Sequence, residues 1–170
     1  MNNKDFFITN SSRQTQKLGE LLARELKGGE IICLTGDLGS GKTTFAQGVL
    51  RGLGAKGPYT SPTFVVMKQY QLKAKSEKRK TTVQNPKPES VYHMDSYRVS
   101  AQDVLDLGWE EIISGENNIV IVEWAERIKS IVQTNAIWID FKHLKDSTRK
   151  IIFSAKRKTQ NAKLQLKTKK

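Results

Sequence analysis

Two stretches of this chain are apolar without polar alternation, Ile31 to Leu34 (IICL) and Ile119 to Val122 within NIVIV. Runs of that kind suit strands buried on both faces, as parallel strands inside an α/β sheet are. Around them the pattern changes period. FFIT, Phe6 to Thr9, predicts a short strand, and Ser11 stands three residues before Gln14, the capping-box spacing that opens a helix. Leu18, Leu21, Leu22 and Leu26 then fall on one helical face until Gly28-Gly29 stops it. A second helix is expected over Thr43 to Arg51, with Phe45, Val49 and Leu50 inward and the glycines at 52, 54 and 57 and Pro58 as breakers. YTSPTF reads as a loop leading into a strand, FVVMKQYQL, and VYHMD reads as another strand. Ala101 to Ile113 is helical with a break near Gly108, and Ala125 to Val132 forms a short helix. AIWIDF and KIIFSAK alternate as strands, paired through a turn around Lys145 to Thr148. No internal repeat is visible. The order implies an α/β, three-layer fold: a mixed parallel/antiparallel sheet with helices over its faces and antiparallel strands at an edge.

Composition divides the chain. Its 170 residues suffice for one domain with a single core. Lys73 to Ser90 is lysine-rich, holds two prolines and has no apolar period, which predicts a flexible insertion. The stretch from Lys156 on is basic and is expected to be disordered. The organisation read from this is a domain over 1–155, interrupted at about 73–90, and a tail over 156–170. The net charge is +12, and residues 73–87 and 154–170 together account for all of it, leaving the remainder neutral. Basicity therefore belongs to the appendages, which can attract RNA, ribosomes or anionic membrane through their field or act as solvated, solubilising segments. No apolar run approaches the roughly 20 residues that span a bilayer, and MNNKDFFITN lacks the features of a signal peptide. The single cysteine, Cys33, lies in an apolar run, cannot form an internal disulfide and reads as a small buried hydrophobe. These features point to the cytoplasm.

Candidate chemistry begins directly after the first apolar strand. Gly36 to Thr43 matches GxxxxGK[ST], the P-loop pattern, between a buried strand and the start of a helix. Gly36, Gly39 and Gly41 let the backbone bend tightly and come close to a phosphate. Amides from Gly39 through Ser40, Gly41 and Lys42 to Thr43 and Thr44 can point at the α- and β-phosphates, aided by the helix N-terminus. Lys42 places a point charge between β- and γ-phosphates, and the Thr43 hydroxyl is positioned for Mg²⁺. A magnesium ion so held also needs an acid at the end of a neighbouring strand. Glu123 follows NIVIV at the carboxyl end, where open α/β sheets place ligands, and Asp95 ends VYHMD. A GTPase would carry NKxD late in the chain and a DxxG switch. The only near match, NNKD at Asn2 to Asp5, has the wrong spacing and precedes the first strand. GTP is thus disfavoured, while nothing in the spacing positively reads adenine.

These segments, GDLGSGKTTF with RGLG (Arg51 to Gly54), SPTF (Ser61 to Phe64), HMDSYR (His93 to Arg98) and IVEWAE (Ile121 to Glu126), resemble the TsaE family over about Thr9 to Phe153. The resemblance implies a P-loop NTPase-like fold, ATP and Mg²⁺ as ligands, slow ATP hydrolysis, and service in making threonylcarbamoyladenosine (t6A) in tRNA. It implies homologues of TsaD and TsaB as partners, which carry out the transfer itself. It places the metal on Thr43 and Glu123. SPTF then resembles a switch in which Thr63 senses the γ-phosphate or its metal, against the plainer reading of a Ser-Pro turn. Lys42, Asp95 and Thr63 become the candidate catalytic residues, with Asp95 orienting water or holding a metal-bound one. Tyr97 and Arg98 face phosphates or a partner, His93 fills a packed position, and Trp124 supports the metal acid by packing, with a direct nucleotide or partner contact as the alternative. The lysine-rich insertion, the basic tail and Ala125, where the family often has proline, depart from the family pattern.

Two other function classes fit parts of the same sequence. A small-molecule kinase would share the P-loop, but the lysine insertion lacks the apolar anchors of a lid. An RNA-binding module would use the tail, and its tRNA affinity would fall steeply with salt.

Overall fold

The computed structural model describes residues 5–72 and 88–154. Most of the expected insertion and the whole of the expected tail lie outside those residues. Within them the chain runs β1 (Asp5–Thr9), α1 (Ser12–Ala23), β2 (Ile31–Gly36), α2 (Lys42–Leu53), β3 (Met67–Gln71) and β4 (Ser90–Asp95). It continues through α3 (Ala101–Asp106), α4 (Trp109–Ser114), β5 (Asn118–Glu123), a 3₁₀ helix (Ala125–Ile131), β6 (Ile137–His143) and β7 (Arg149–Ser154). The strands form one seven-stranded sheet in the order β1-β7-β6-β2-β5-β4-β3. β6, β2, β5 and β4 are mutually parallel, and β7, β1 and β3 add antiparallel edges. The mixed α/β sheet expected from the sequence is present.

Local chemistry explains the element ends. Ser11 Oγ accepts the Gln14 amide at 3.2 Å, while Gln14 Oε1 accepts the amide of Asn10 at 2.6 Å, one residue earlier than in a standard capping box. Gly108, with φ of 84°, separates α3 from α4 as expected. Three expectations fail. Gly52 does not break α2, which continues to Leu53 and ends on Gly54 at φ of 81°. Phe64 to Val66 is a turn rather than the start of a strand. Val66 has φ of 62°, the Val65 amide donates to Pro62 O, and the Asp95 amide donates to Val66 O at 2.9 Å. The turn sends Phe64 into solvent, 86% exposed, so its apolarity does not serve a buried strand. Ser90, which composition assigns to the insertion, is the first residue of β4.

Both faces of the sheet are covered. Ile32 and Leu34 of β2 and Ile119 and Ile121 of β5 join Leu18, Leu22, Phe45, Val49 and Leu50 of α1 and α2 in one core layer. The alternate residues Ile31, Cys33, Val120 and Val122 pack with Val104, Trp109, Ile112 and Ile128 on the opposite face. This is the period-2 consequence of strands apolar on both sides. Burial pushes the Cys33 thiol up to about 12, consistent with its expected inert role. Among the described residues no helix is long and apolar enough to cross a membrane.

Glycines set how closely α1 and α2 approach. A Cβ on Gly48 would run into the Gln16 carbonyl oxygen and lie 2.8 Å from Gln16 Cα, both main-chain atoms of α1. Gly48→Ala is expected to destabilise the fold by about 2–3 kcal/mol, read as a lowered midpoint in thermal denaturation. An unchanged midpoint would show that the two helices can separate freely. Gly52 acts in the same way, facing the Ala23 side chain and the Glu20 main chain. Its small size is required by helix contact and not by chain termination.

Candidate nucleotide site

The sheet places its chemistry at the carboxyl ends of β2, β5 and β4. The loop after β2 holds Gly36, Gly39 and Gly41 at φ of 122°, 76° and 106°. These angles favour glycine, and at Gly36 a Cβ would also strike the Phe141 carbonyl of β6, whose carbon would lie 3.1 Å away. The Ser40 amide closes the turn onto Asp37 O at 3.2 Å, and the Phe45 amide begins the ladder of α2 on Gly41 O at 2.9 Å. Ser40 Oγ is buried without a hydrogen-bond partner among the described residues, leaving a hydroxyl donor inside the loop.

Lys42, 4% exposed, folds back over this loop. Its Nζ donates to Gly36 O at 2.5 Å and Asp37 O at 2.8 Å, and lies 3.7 Å from the centroid of the Trp124 ring. Burial lowers its pKa, while the carboxylates of Glu123, Glu126, Asp95 and Asp37 oppose that shift. Trp124 can reach this position because its backbone turns left-handed, at φ of 59°, directly after β5. A bulky residue held at such an angle is an uncommon arrangement, and here it puts an aromatic face under the ammonium. Trp124 thus contacts the P-loop lysine itself, beyond the packing role expected for it.

Thr43 begins the next contact. Its Oγ1 donates to Glu123 Oε2 at 2.6 Å, joining the start of α2 to the end of β5. The other oxygen, Oε1, is 2.8 Å from His93 Nε2. Asp95 lies beside Glu123 in the register of β4 and β5. Its Oδ2 accepts the Thr63 hydroxyl at 2.5 Å, and its Oδ1 accepts the Tyr97 amide at 2.9 Å. Ser61 Oγ is 2.7 Å from Thr63 Oγ1. The 61–64 segment is therefore tied to the sheet through Thr63 and Asp95.

These groups open on one cleft of about 350 Å³. It is lined by Gly39, Gly41, Lys42, Thr43, Thr44, Thr63, Asp95 and Glu123, together with Leu38, Tyr97, Arg98 and Trp124. The catalytic, metal and phosphate-loop candidates picked out in the sequence thus lie together, with Gly36 and Ser40 in the same loop behind the lining. Tyr97 and Arg98 line the mouth, where Arg98 also lies 5.3 Å from the centroid of the Phe64 ring.

Two contacts escaped the sequence reading, that of His93, expected only to fill a packed position, and that of Arg149. His93 contacts Glu123, and a signal existed: residues 93 and 95 share one face of a strand by period 2. Arg149 packs over Gly41, where a Cβ would lie 2.8 Å from its Cδ and Nε. Nothing local in the sequence foretold that contact, because β7 reaches the loop only through sheet order.

The donor set suits a triphosphate with a hard cation. A hydroxyl and a carboxylate oxygen face one another beside a glycine-rich helix start and an ammonium, and hard oxygen ligands are what Mg²⁺ takes. Thr43 and Glu123 are the residues that can hold the ion, and the loop amides and Lys42 those that can hold phosphates.

Comparison with known proteins gives the chain's family. The family model described as threonylcarbamoyl adenosine biosynthesis protein TsaE matches residues 9–151. A Bacillus subtilis (strain 168) protein named tRNA threonylcarbamoyladenosine biosynthesis protein TsaE is 34% identical over 147 residues, covering 86% of this chain and 83% of its own. A Treponema pallidum (strain Nichols) protein of the same name is 31% identical, covering 85% of this chain and 96% of its own. One from Nostoc sp. is 42% identical over 67% of this chain and 64% of its own. A crystal structure of Bacillus YdiB superposes with a TM-score of 0.64 at 28% identity, covering 90% of this chain and 86% of its own. With a family model spanning the sheet from β1 into β7 and relatives above 30% identity over most of its length, the chain belongs to the TsaE family.

Proposed function

We propose that this chain binds ATP with Mg²⁺ in the cleft, hydrolyses it slowly, and thereby serves as a motor or switch subunit in making t6A in tRNA. Homologues of TsaD and TsaB are its partners in this reading and perform the transfer. tRNA is reached through them or through the basic segments. Family membership supports the process, and the carrying observation is local: the Thr43–Glu123 hydrogen bond at 2.6 Å, beside the buried Lys42 at a glycine-rich helix start.

Each residue then has a task. Lys42 exchanges its contacts to Gly36 O and Asp37 O for phosphate oxygens, and Trp124 limits the directions its ammonium can take. Amides of residues 39 to 44 orient the phosphate chain. Thr43 and Glu123 supply the protein ligands to Mg²⁺, which when bound neutralises charge on the β- and γ-phosphates. Asp95 accepts a hydrogen bond at Oδ2, now from the Thr63 hydroxyl, and the same oxygen can orient a water. Thr63 links the 61–64 turn to the cleft, so a change at the γ-position alters what holds that turn in place.

The test is hydrolysis measured with and without the TsaD and TsaB homologues of the same cell. Turnover is expected to be slow alone and to rise several-fold on their addition. No rise, with t6A formation independent of this chain, would overturn the motor reading.

A further inference from the structure

We infer that His93 is a positioning residue for the metal site: it fixes Glu123 so that Oε2, and not Oε1, is presented beside Thr43. The inference rests on the reading that Thr43 and Glu123 hold Mg²⁺. His93 and Glu123 are 1% and 2% exposed, so neither carboxylate oxygen is held by bulk water. Oε1 is 2.8 Å from His93 Nε2, and Oε2 is 2.6 Å from Thr43 Oγ1. A carboxylate only accepts, so the imidazole carries its hydrogen on Nε2. One oxygen is thereby committed to the sheet and the other is aimed at the P-loop.

Register makes the pairing rigid. His93 is opposite Ile121 and Asp95 opposite Glu123 on parallel strands, so His93 reaches diagonally to a residue on the same face. The ring also carries a cost that packing alone would avoid. Its Nδ1 is buried with no hydrogen-bond partner among the described residues, whereas an apolar side chain at this place would leave nothing unsatisfied.

The test is the Mg²⁺ concentration giving half-maximal binding of a fluorescent ATP analogue, in wild type, His93→Gln, His93→Asn and His93→Leu, with thermal midpoints recorded alongside. The glutamine amide nitrogen is as many bonds from the backbone as Nε2, while that of asparagine falls short. His93→Asn and His93→Leu are expected to raise the half-saturating Mg²⁺ by about 10–100-fold, and His93→Gln by only a few-fold. Binding of the analogue without Mg²⁺ should be the same in all four. If the asparagine and leucine variants keep the wild-type Mg²⁺ requirement, His93 only packs and the inference falls. Equal increases in all three variants would overturn it too, since a donor at the right reach would then make no difference. If the leucine chain does not fold, the glutamine–asparagine pair still decides. Wild type with no Mg²⁺-dependent binding at all would instead refute the proposed function.

Discussion

Lys42→Ala is expected to weaken ATP binding and turnover by on the order of 100-fold or more, while leaving the chain folded. Among the described residues the lysine is the one whose ammonium is held directly over the loop carbonyls, at 2.5 and 2.8 Å, so its loss removes the charge that the phosphates would meet there. Its stability effect should be small because two changes oppose. Gly36 O and Asp37 O lose a donor, but a buried ammonium, whose pKa burial already lowers, is removed. Calorimetric titration with ATP, beside a thermal melt of the same sample, separates the two. Unaltered ATP affinity in a folded Lys42→Ala chain would exclude the cleft as the phosphate site.

Glu123→Gln should abolish most of the Mg²⁺-dependent step, by on the order of 100-fold, at nearly constant side-chain volume. The carboxylate now accepts from two donors, His93 Nε2–H and Thr43 Oγ1–H. An amide can accept from only one of them and must turn its NH₂ towards the other. Charge is lost, and an NH₂ turned towards Thr43 cannot ligate a cation, so the defect should persist even when Mg²⁺ is in excess. Titrating Mg²⁺ at saturating nucleotide measures this. A Glu123→Gln chain with wild-type Mg²⁺ dependence would remove the residue from the metal site.

Much of this site was legible because its signals are local. IICL and NIVIV declare strands covered on both faces, and the loop after the first fixes where a helix must begin. Strand-end acids follow directly, since β2, β5 and β4 run parallel and end together. What stayed hidden depends on contacts between distant segments. Phe64 and Val65 look like strand residues, yet a left-handed Val66 turns them outward. Gly52 looks like a breaker, yet it is small because α1 crosses there. His93 looks like core, and only the β4–β5 register reveals the carboxylate beyond it.

The direction of β3 and β4 settles where extra chain can be added. β3 leaves the cleft at Met67 and β4 returns to it at Asp95, so Leu72 and Glu89, bonded at 2.8 Å, close the pair at the opposite rim. With six residues in β4 at about 3.3 Å each, the lysine-rich connection is anchored ~20 Å from Asp95. A change of length or charge in that connection therefore enters at the far rim, while the β4–β5 register holds Asp95 beside Glu123 at the cleft.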